Sequence, residues 1–461
     1  SRKLISYLAR SIIQLLRLCN IVPQFDMPDR NAIALVDCNN FFVSCERAVN
    51  AELQDRPVVV LSNNDGCVIS RSNEVKALGV EMAAPLFQVR ELLEKHNTAV
   101  ISCNHALYRE FAEQIVDTLI EDLGDNVLEL YSIDEAFLDV GIPDKLDLLG
   151  KHIKNKVWEK TKIPVSVGFA ETKTLAKLAN GIAKKSAKTE GVLDLYNSPY
   201  TDIALKRTDV QAIWGVGSRS AAHLRDHGIN TAFELKNADQ EKVRSYLNVF
   251  GSRTVLELNG IKCIPLEITK KDSKSIAHTR TFGNTISSFP EVKNAIFYFA
   301  TRALEKMRWN GLTAKSVTVF LKTDRFNPVP YYYSNAHSYN SVYLSDITSE
   351  IYTWARIGLE QIYLPGLQYK RAGVVLTGLT PADSISKRLY NQPIFERWHK
   401  LNKSIDELNL RYGRDVIRLA ALYDDGTWQS QSTHRSNDEN HLVERENLGL
   451  GRKFSRPVRF L

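Results

Sequence analysis

The chain has 461 residues, 44% of them hydrophobic and 25% charged, which supplies apolar mass for two to four globular domains and excludes a disordered or fibrous chain. Its 60 Lys and Arg against 53 Asp and Glu leave a formal net charge of +7, a modest excess that suits a polyanionic partner. The six cysteines (Cys19, Cys38, Cys45, Cys67, Cys103 and Cys263) include no CxxC pair, so neither a zinc spacing nor a disulfide framework is offered and a reducing, cytoplasmic compartment is expected.

In chain order, Leu4, Ile5, Leu8, Ile12, Leu15, Leu16 and Cys19 fall at helical spacing, but Arg10, Gln14 and Arg17 break the run too often for a membrane span or a signal core. A basic amphipathic helix is one reading. Met27 stands just before the first strand, and residues 1–30 are read instead as an extension ahead of the folded part, with no membrane role. Ala32–Val36 is an apolar run that ends in Asp37, the pattern of a buried strand delivering a carboxylate. Pro57–Leu61 reads as a second strand before a turn at Ser62–Gly66. Val68–Ala77 and Phe87–Glu94 read as helices, and Tyr108–Leu123 as a longer one stopped by Gly124. Val127–Val140 is strand-like on both sides of Asp134 and Glu135. Pro164–Ala170 is another strand, leading into a Lys-studded helix over Lys173–Lys185.

From Asp209 the texture becomes helix and tight turn, including Gly215-Val-Gly217, and Thr269–Ser275 reads as a tether. A second α+β unit follows to about Pro381. Between Lys262 and Arg325 twelve Lys or Arg stand against five Asp or Glu, interleaved with β-patterned apolar residues around Lys315–Lys322. A sheet presenting cations to a phosphate backbone has this pattern. The tail carries one amphipathic helix (Leu401, Ile405, Leu408, Tyr412) and a polar run over Gln429–His441 expected to be disordered. The fold class is α+β with several domains.

The chemistry most compatible with these residues is phosphoryl transfer, which needs hard oxygen ligands for divalent cations. Asp37 at a strand end and the adjacent Asp134 and Glu135 supply them. Neighbours on a regular strand face opposite ways, so both acids reach one cluster only if the pair lies at a bend. An Asp-Glu pair taken alone is ordinarily surface decoration; the apolar Ile133, Ala136, Phe137 and Leu138 around it favour a half-buried setting.

In order and spacing, Asp37–Phe42, Ser132–Glu135 and Gly168–Lys177 resemble the motifs of Y-family DNA polymerases, and Val58–Ile69 with Lys76–Val80 resembles the UmuC-type branch of that family. The likeness runs from about Ala32 to about Leu422. It implies a right-hand polymerase: an extension (1–30), a palm (31–48 and 103–198), fingers (49–102), a helix-hairpin-helix thumb (199–262), a linker (263–274), a little finger (275–381) and a partner-binding tail (382–461). The implied activity is error-prone, template-directed synthesis past DNA lesions with two Mg²⁺ ions. Asp37 and Asp134 would bridge both metals, Glu135 would sit by the metal that activates the primer 3′-hydroxyl, and the Cys38 carbonyl would complete the nucleotide side.

Phe42 aligns with the steric gate against ribonucleotides. Phe41 is grouped with it at the nucleotide pocket, although core packing is its ordinary role. Lys173 matches the family's phosphate lysine, Lys76 a fingers cation and Tyr108 a palm tyrosine that contacts phosphate. Many members carry a fingers Tyr where Asn73 stands, and Arg71 is the residue able to compensate. Gly215 and Gly217 match a helix-hairpin-helix phosphate grip, and Lys274, Arg280 and Lys322 match little-finger backbone contacts. Leu389 and Tyr390 occupy the place of a sliding-clamp peptide whose usual Gln is missing; Gln392–Phe395 is a second register. A UmuD-type dimer, RecA and the clamp are the implied partners beside primer-template DNA and a dNTP, in the nucleoid. A deoxycytidyl transferase and a DNA-binding scaffold without catalysis are the rival readings; three acids together with Lys173 argue against the scaffold.

Overall fold

The computed structural model describes residues 31–124, 127–141, 145–268, 273–326, 330–382, 392–413, 415–422 and 434. The expected N-terminal extension (1–30), the clamp residues Leu389 and Tyr390, the side chains of Gln392–Phe395 and the polar run Gln429–His441 apart from His434 lie outside the described residues.

The first half is built from β1 (Ile33–Cys38), α1 (Phe41–Val49), β2 (Val58–Leu61), β3 (Val68–Arg71), α2 (Asn73–Ala77), α3 (Leu86–Lys95), β4 (Ala99–Ser102) and α4 (His105–Leu123). It continues through β5 (Leu128–Leu130), β6 (Glu135–Asp139), α5 (Leu146–Thr161), β7 (Val165–Ala170), α6 (Lys173–Ala183) and β8 (Val192–Asp194). One sheet has the order β5-β6-β1-β7-β8, with β1 antiparallel to both β6 and β7. All six residues of β1 are buried because helices cover both faces. Phe111 and Ile115 of α4 and Ile153 and Val157 of α5 pack with Ala34, Val36 and Phe169 on one side. Leu175, Ala176 and Ala179 of α6 pack with Ile33, Leu35 and Phe137 on the other. This double cover explains why the strand reads as an uninterrupted apolar run. Helix α6 lies directly on β7: a Cβ at Gly168 would come within 2.2 Å of the Asn180 nitrogen.

A smaller sheet, β3-β2-β4, sits over a core of Val59, Leu61, Val68, Val75, Val80, Leu86 and Leu93. Here the expected helix over Val68–Ala77 is corrected. Val68 and Ser70 are buried while Ile69 and Arg71 are half-exposed, a period of two, and the segment pairs with β2 through Val59–Arg71 and Val60–Ser70. Only Asn73–Ala77 is helical.

Helices α7 (Thr201–Lys206), α8 (Ser218–Asp226), α9 (Ala232–Lys236) and α10 (Gln240–Leu258) follow. Their Leu224, Leu235, Val243, Val255 and Leu258, with Val216 from the loop before α8, join the core on the α6 side of the first sheet. The last unit comprises β9 (Ser275–Ile286), α11 (Phe289–Trp309), β10 (Leu312–Thr323), β11 (Ser334–Ser345), α12 (Thr348–Ile362), β12 (Tyr369–Thr377) and β13 (Thr380–Pro381). Its antiparallel sheet runs β11-β10-β12-β9, and α11 and α12 share its core. Helix α13 (Gln392–Tyr412) docks against α11 and α12. No helix among the described residues is long and apolar enough to cross a membrane.

Candidate active site

The two acidic segments meet because β1 and β6 are neighbours. Asp37 stands opposite Glu135 in the antiparallel register. Asp134 escapes the strand alternation because residues 131–134 form a turn. In that turn the Tyr131 and Ser132 N–H groups both donate to the Glu135 carbonyl at 3.1 Å, and the Cys38 N–H donates to the Asp134 carbonyl at 2.9 Å. The bend that the sequence required is therefore present, and all three carboxylates belong to one end of the sheet.

Each acid has a separate partner. Asp37 pairs with Lys184, just past the end of α6. Glu135 accepts from Lys177 at 2.7 and 2.8 Å on its two oxygens. Asp134 accepts from the Ser132 hydroxyl at 2.6 Å. Burial pushes the Asp37 carboxyl up to about 7; Lys184 pulls it back and the Glu135 charge adds to the rise. Among the described residues no group of three ligating side chains already converges on one point. The donor set nevertheless suits a hard divalent cation, because a buried carboxylate crowded by a second one is relieved by positive charge. The Cys38 thiol is buried and pushed well above the usual thiol range, first by burial and then by Asp37 and Asp134, so it stays protonated and inert.

Beside the acids, Phe42 is half-buried and stacks on Tyr108 with ring centroids 4.5 Å apart. Tyr108 itself is fully buried and donates its hydroxyl to Glu46 at 2.6 Å. The expected phosphate contact from Tyr108 is corrected on that ground: the hydroxyl faces the core, and the ring serves as a floor for Phe42. Phe41 is likewise buried in the main core, away from the pocket role grouped with Phe42.

Three cations gather near the start of α1. Lys76 donates to the Asn40 side chain, whose amide in turn donates to Asn73 at 3.0 Å. Arg71 donates to the Val80 carbonyl. Burial and then the charges of Arg71 and Lys184 push the Lys76 ammonium below its ordinary range, with Asp37 opposing them.

Lys173 is not among them. It is 3% exposed, pairs with Glu129, and donates to the Pro265 carbonyl at 2.8 Å. It is thus turned into the core, and the assignment of Lys173 as the phosphate lysine is corrected. Lys184 and Lys177, on the same α6 segment, are the residues the sequence reading missed. All three share one helical face (i, i+4, i+11), so the signal was present. Which turn of the face met the acids was set by the tertiary packing.

Gly215 adopts φ 86°, and Gly217 is the N-cap of α8 with no side chain to cap the first turn. Those first N–H groups are available to an anion. Lys274 is exposed just before β9. Lys322 lies in one row with Arg371 and Thr281 across β10, β12 and β9. Arg280 stands opposite buried Ala372, on the other face of that sheet, and its charge is felt at His105 of α4. The three predicted little-finger cations therefore do not share one face.

Comparison with known proteins follows the same outline. Residues 36–181 match the model of the impB/mucB/samB family, residues 273–389 its C-terminal domain, and residues 399–438 a domain of unknown function. Protein SamB of Salmonella typhimurium is 37% identical over 82% of this chain and 90% of its own length. Protein UmuC of Salmonella typhimurium LT2 is 36% identical over 84% and 92% respectively. DNA polymerase IV of Moorella thermoacetica is 29% identical over 84% and 95%. Among solved structures, a Y-family DNA polymerase chimera of Dbh and Dpo4 superposes with a TM-score of 0.59 at 22% identity, covering 75% of this chain and 98% of that one. An insertion ternary complex of Dbh DNA polymerase gives 0.52 at 22% identity, with the same coverage.

Proposed function

Because the chain belongs to the impB/mucB/samB family of Y-family polymerases and is an error-prone, DNA-directed DNA polymerase of translesion synthesis, we propose that its nucleotidyl transfer is centred on Asp37, Asp134 and Glu135. The observation that carries this assignment is the Asp37–Glu135 pairing across β1 and β6 with Asp134 at the adjoining turn. Polymerases of this family use divalent metal ions. We assign two Mg²⁺ here, which supply Lewis acidity at the attacking and leaving oxygens when bound.

Asp37 and Asp134 would hold both ions, Glu135 the primer-side one, and the Cys38 carbonyl the nucleotide-side one. Lys184 and Lys177 now pair with Asp37 and Glu135, the carboxylates that would hold the ions. Lys184, with Lys76 and Arg71, would neutralise the triphosphate. Phe42, held flat on Tyr108, would occupy the space of a ribose 2′-hydroxyl. The first sheet with its helices then acts as palm, β2–β4 as fingers, α7–α10 as thumb and β9–β13 as little finger. Gly215 and Gly217 would grip the duplex backbone, and Lys274 and Lys322 would hold it from the little finger. A UmuD-type dimer, RecA and the sliding clamp remain the proposed partners, with the nucleoid as the place of action.

Primer extension on undamaged and abasic templates tests the site. Asp134→Ala should abolish synthesis on both, and extension that survives it would overturn the assignment. A strong preference for dCTP whatever the template base would favour a deoxycytidyl transferase instead.

A further inference from the structure

Glu135 is held in a chain of contacts that begins in the thumb. Trp214 immediately precedes Gly215 and Gly217, and its indole N–H donates to the Tyr131 hydroxyl at 3.0 Å. The two rings meet edge to face with centroids 5.4 Å apart, and Phe137 of β6 closes the cluster 5.8 Å from the indole. The Lys177 ammonium lies 4.8 Å from the Tyr131 ring centroid and 5.9 Å from that of Trp214 while it binds both oxygens of Glu135. Tyr131 also belongs to the acidic turn, since its N–H donates to the Glu135 carbonyl. The side chain of Glu135 and the backbone that carries it are thus both tied to one aromatic pair, and one ring of that pair comes from the duplex-gripping loop.

We infer that Trp214, through Tyr131 and Lys177, positions Glu135 for the primer-side metal. The inference rests on the reading of Glu135 as a metal ligand. An ammonium over two ring faces keeps its charge while it loses rotational freedom, and it hands over its carboxylate from a fixed place. Trp214 and Tyr131 are positioning residues: nothing assigns them contact with the reacting atoms.

The test uses the full chain on a primer-template, with single-turnover rates measured as a function of Mg²⁺ and of dNTP. Trp214→Phe and Tyr131→Phe each remove one partner of the same hydrogen bond and keep a ring in place. Each should raise the Mg²⁺ concentration for half-maximal rate about threefold to tenfold, as expected for a lost bond of that kind. The KM for dNTP and the Kd for DNA should stay within about twofold, and the double variant should be no worse than the worse single one. An unchanged Mg²⁺ dependence in both singles would overturn the inference, as would a loss confined to DNA affinity or fully additive effects. Glu135→Gln separates this from the underlying reading. If it leaves rate and Mg²⁺ dependence unaltered, the assignment of Glu135 itself fails. If it abolishes synthesis while Trp214→Phe and Tyr131→Phe do nothing, only the coupling fails.

Discussion

Lys173 and Lys184 stand at opposite ends of one helical segment and meet different demands. Lys173 sits among Glu129, the Pro265 carbonyl and the face of Phe137, 5.2 Å from its ring centroid. Lys173→Ala strips a nearly dry carboxylate of its cation, and a loss of about 3–5 kcal/mol is expected, read as a lower melting temperature. Lys184→Ala leaves buried Asp37 without its cation and so should also lower the melting temperature, but it should in addition cut kcat/KM for dNTP about tenfold to a hundredfold, the size of one charge-assisted phosphate contact. Equal effects of the two substitutions on dNTP kinetics would refute the division of labour. Phe42 gives a second expectation at this scale. Phe42→Ala opens the space above Tyr108 and should raise incorporation of ribonucleotides relative to deoxynucleotides by at least about tenfold, measured by competing the two in primer extension. Motif order picked out the acids whose segments the β1–β6 register brings to one end of the sheet, and the Phe42 ring that stacks on Tyr108. The inward turn of Lys173 was not legible, because Pro265 lies 92 positions away along the chain.

At the scale of elements, segments governed by one period read correctly and the segment that changes period did not. β1, β7 and α4 declare themselves because one period governs each throughout. Val68–Ala77 holds two periods, a strand of four residues and a helix of five, in a stretch too short for either pattern to dominate. Helix α13 shows a different limit. Its apolar positions Leu401, Leu408 and Tyr412 are exposed, while its polar ones dock. His399 meets Asp346, Asn402 accepts from Thr348 at 3.0 Å, and Arg308 forks onto Asp406 at 2.6 and 2.8 Å. The sequence showed the amphipathic stripe but not which side the little finger would take. Asp406→Ala leaves the Arg308 guanidinium largely buried beside the Asp346 carbonyl and Thr348, so it should loosen α13 by about 3 kcal/mol or more. Faster proteolytic removal of the segment after Pro381, with the rest of the chain intact, is the expected readout. Undiminished protection would show that the helix is held by something other than this pair.

For the whole molecule, the linker after the thumb is tied down by buried acids. Glu257 accepts from the Cys263 and Ile264 N–H groups at 2.9 and 3.1 Å and from Thr174 at 3.1 Å, while Glu129 accepts from Glu267 at 2.7 Å. On the far side, Asn64 of the fingers donates to the Thr281 carbonyl at 2.9 Å on edge strand β9. The little finger is thus set against both palm and fingers, and this placement decides which of its cations can meet DNA. The sequence shows a basic stretch but not its faces, since the register that separates them is fixed by pairing. Lys322 and Arg371 share the face opposite the one on which Arg280 stands beside Ala372. Each phosphate contact releases condensed counterions, so the slope of log Kd against log salt counts the contacts. Lys322→Ala and Arg371→Ala should each flatten that slope by about 1 and weaken binding uniformly across sequences. Arg280→Ala, turned towards α4 and His105, should leave the slope as it is. Fluorescence anisotropy on a primer-template duplex over a series of salt concentrations distinguishes the two sets. An equal loss of slope from Arg280→Ala would mean that the duplex reaches the other face of the sheet, and the proposed path of the DNA across β10 and β12 would have to be abandoned.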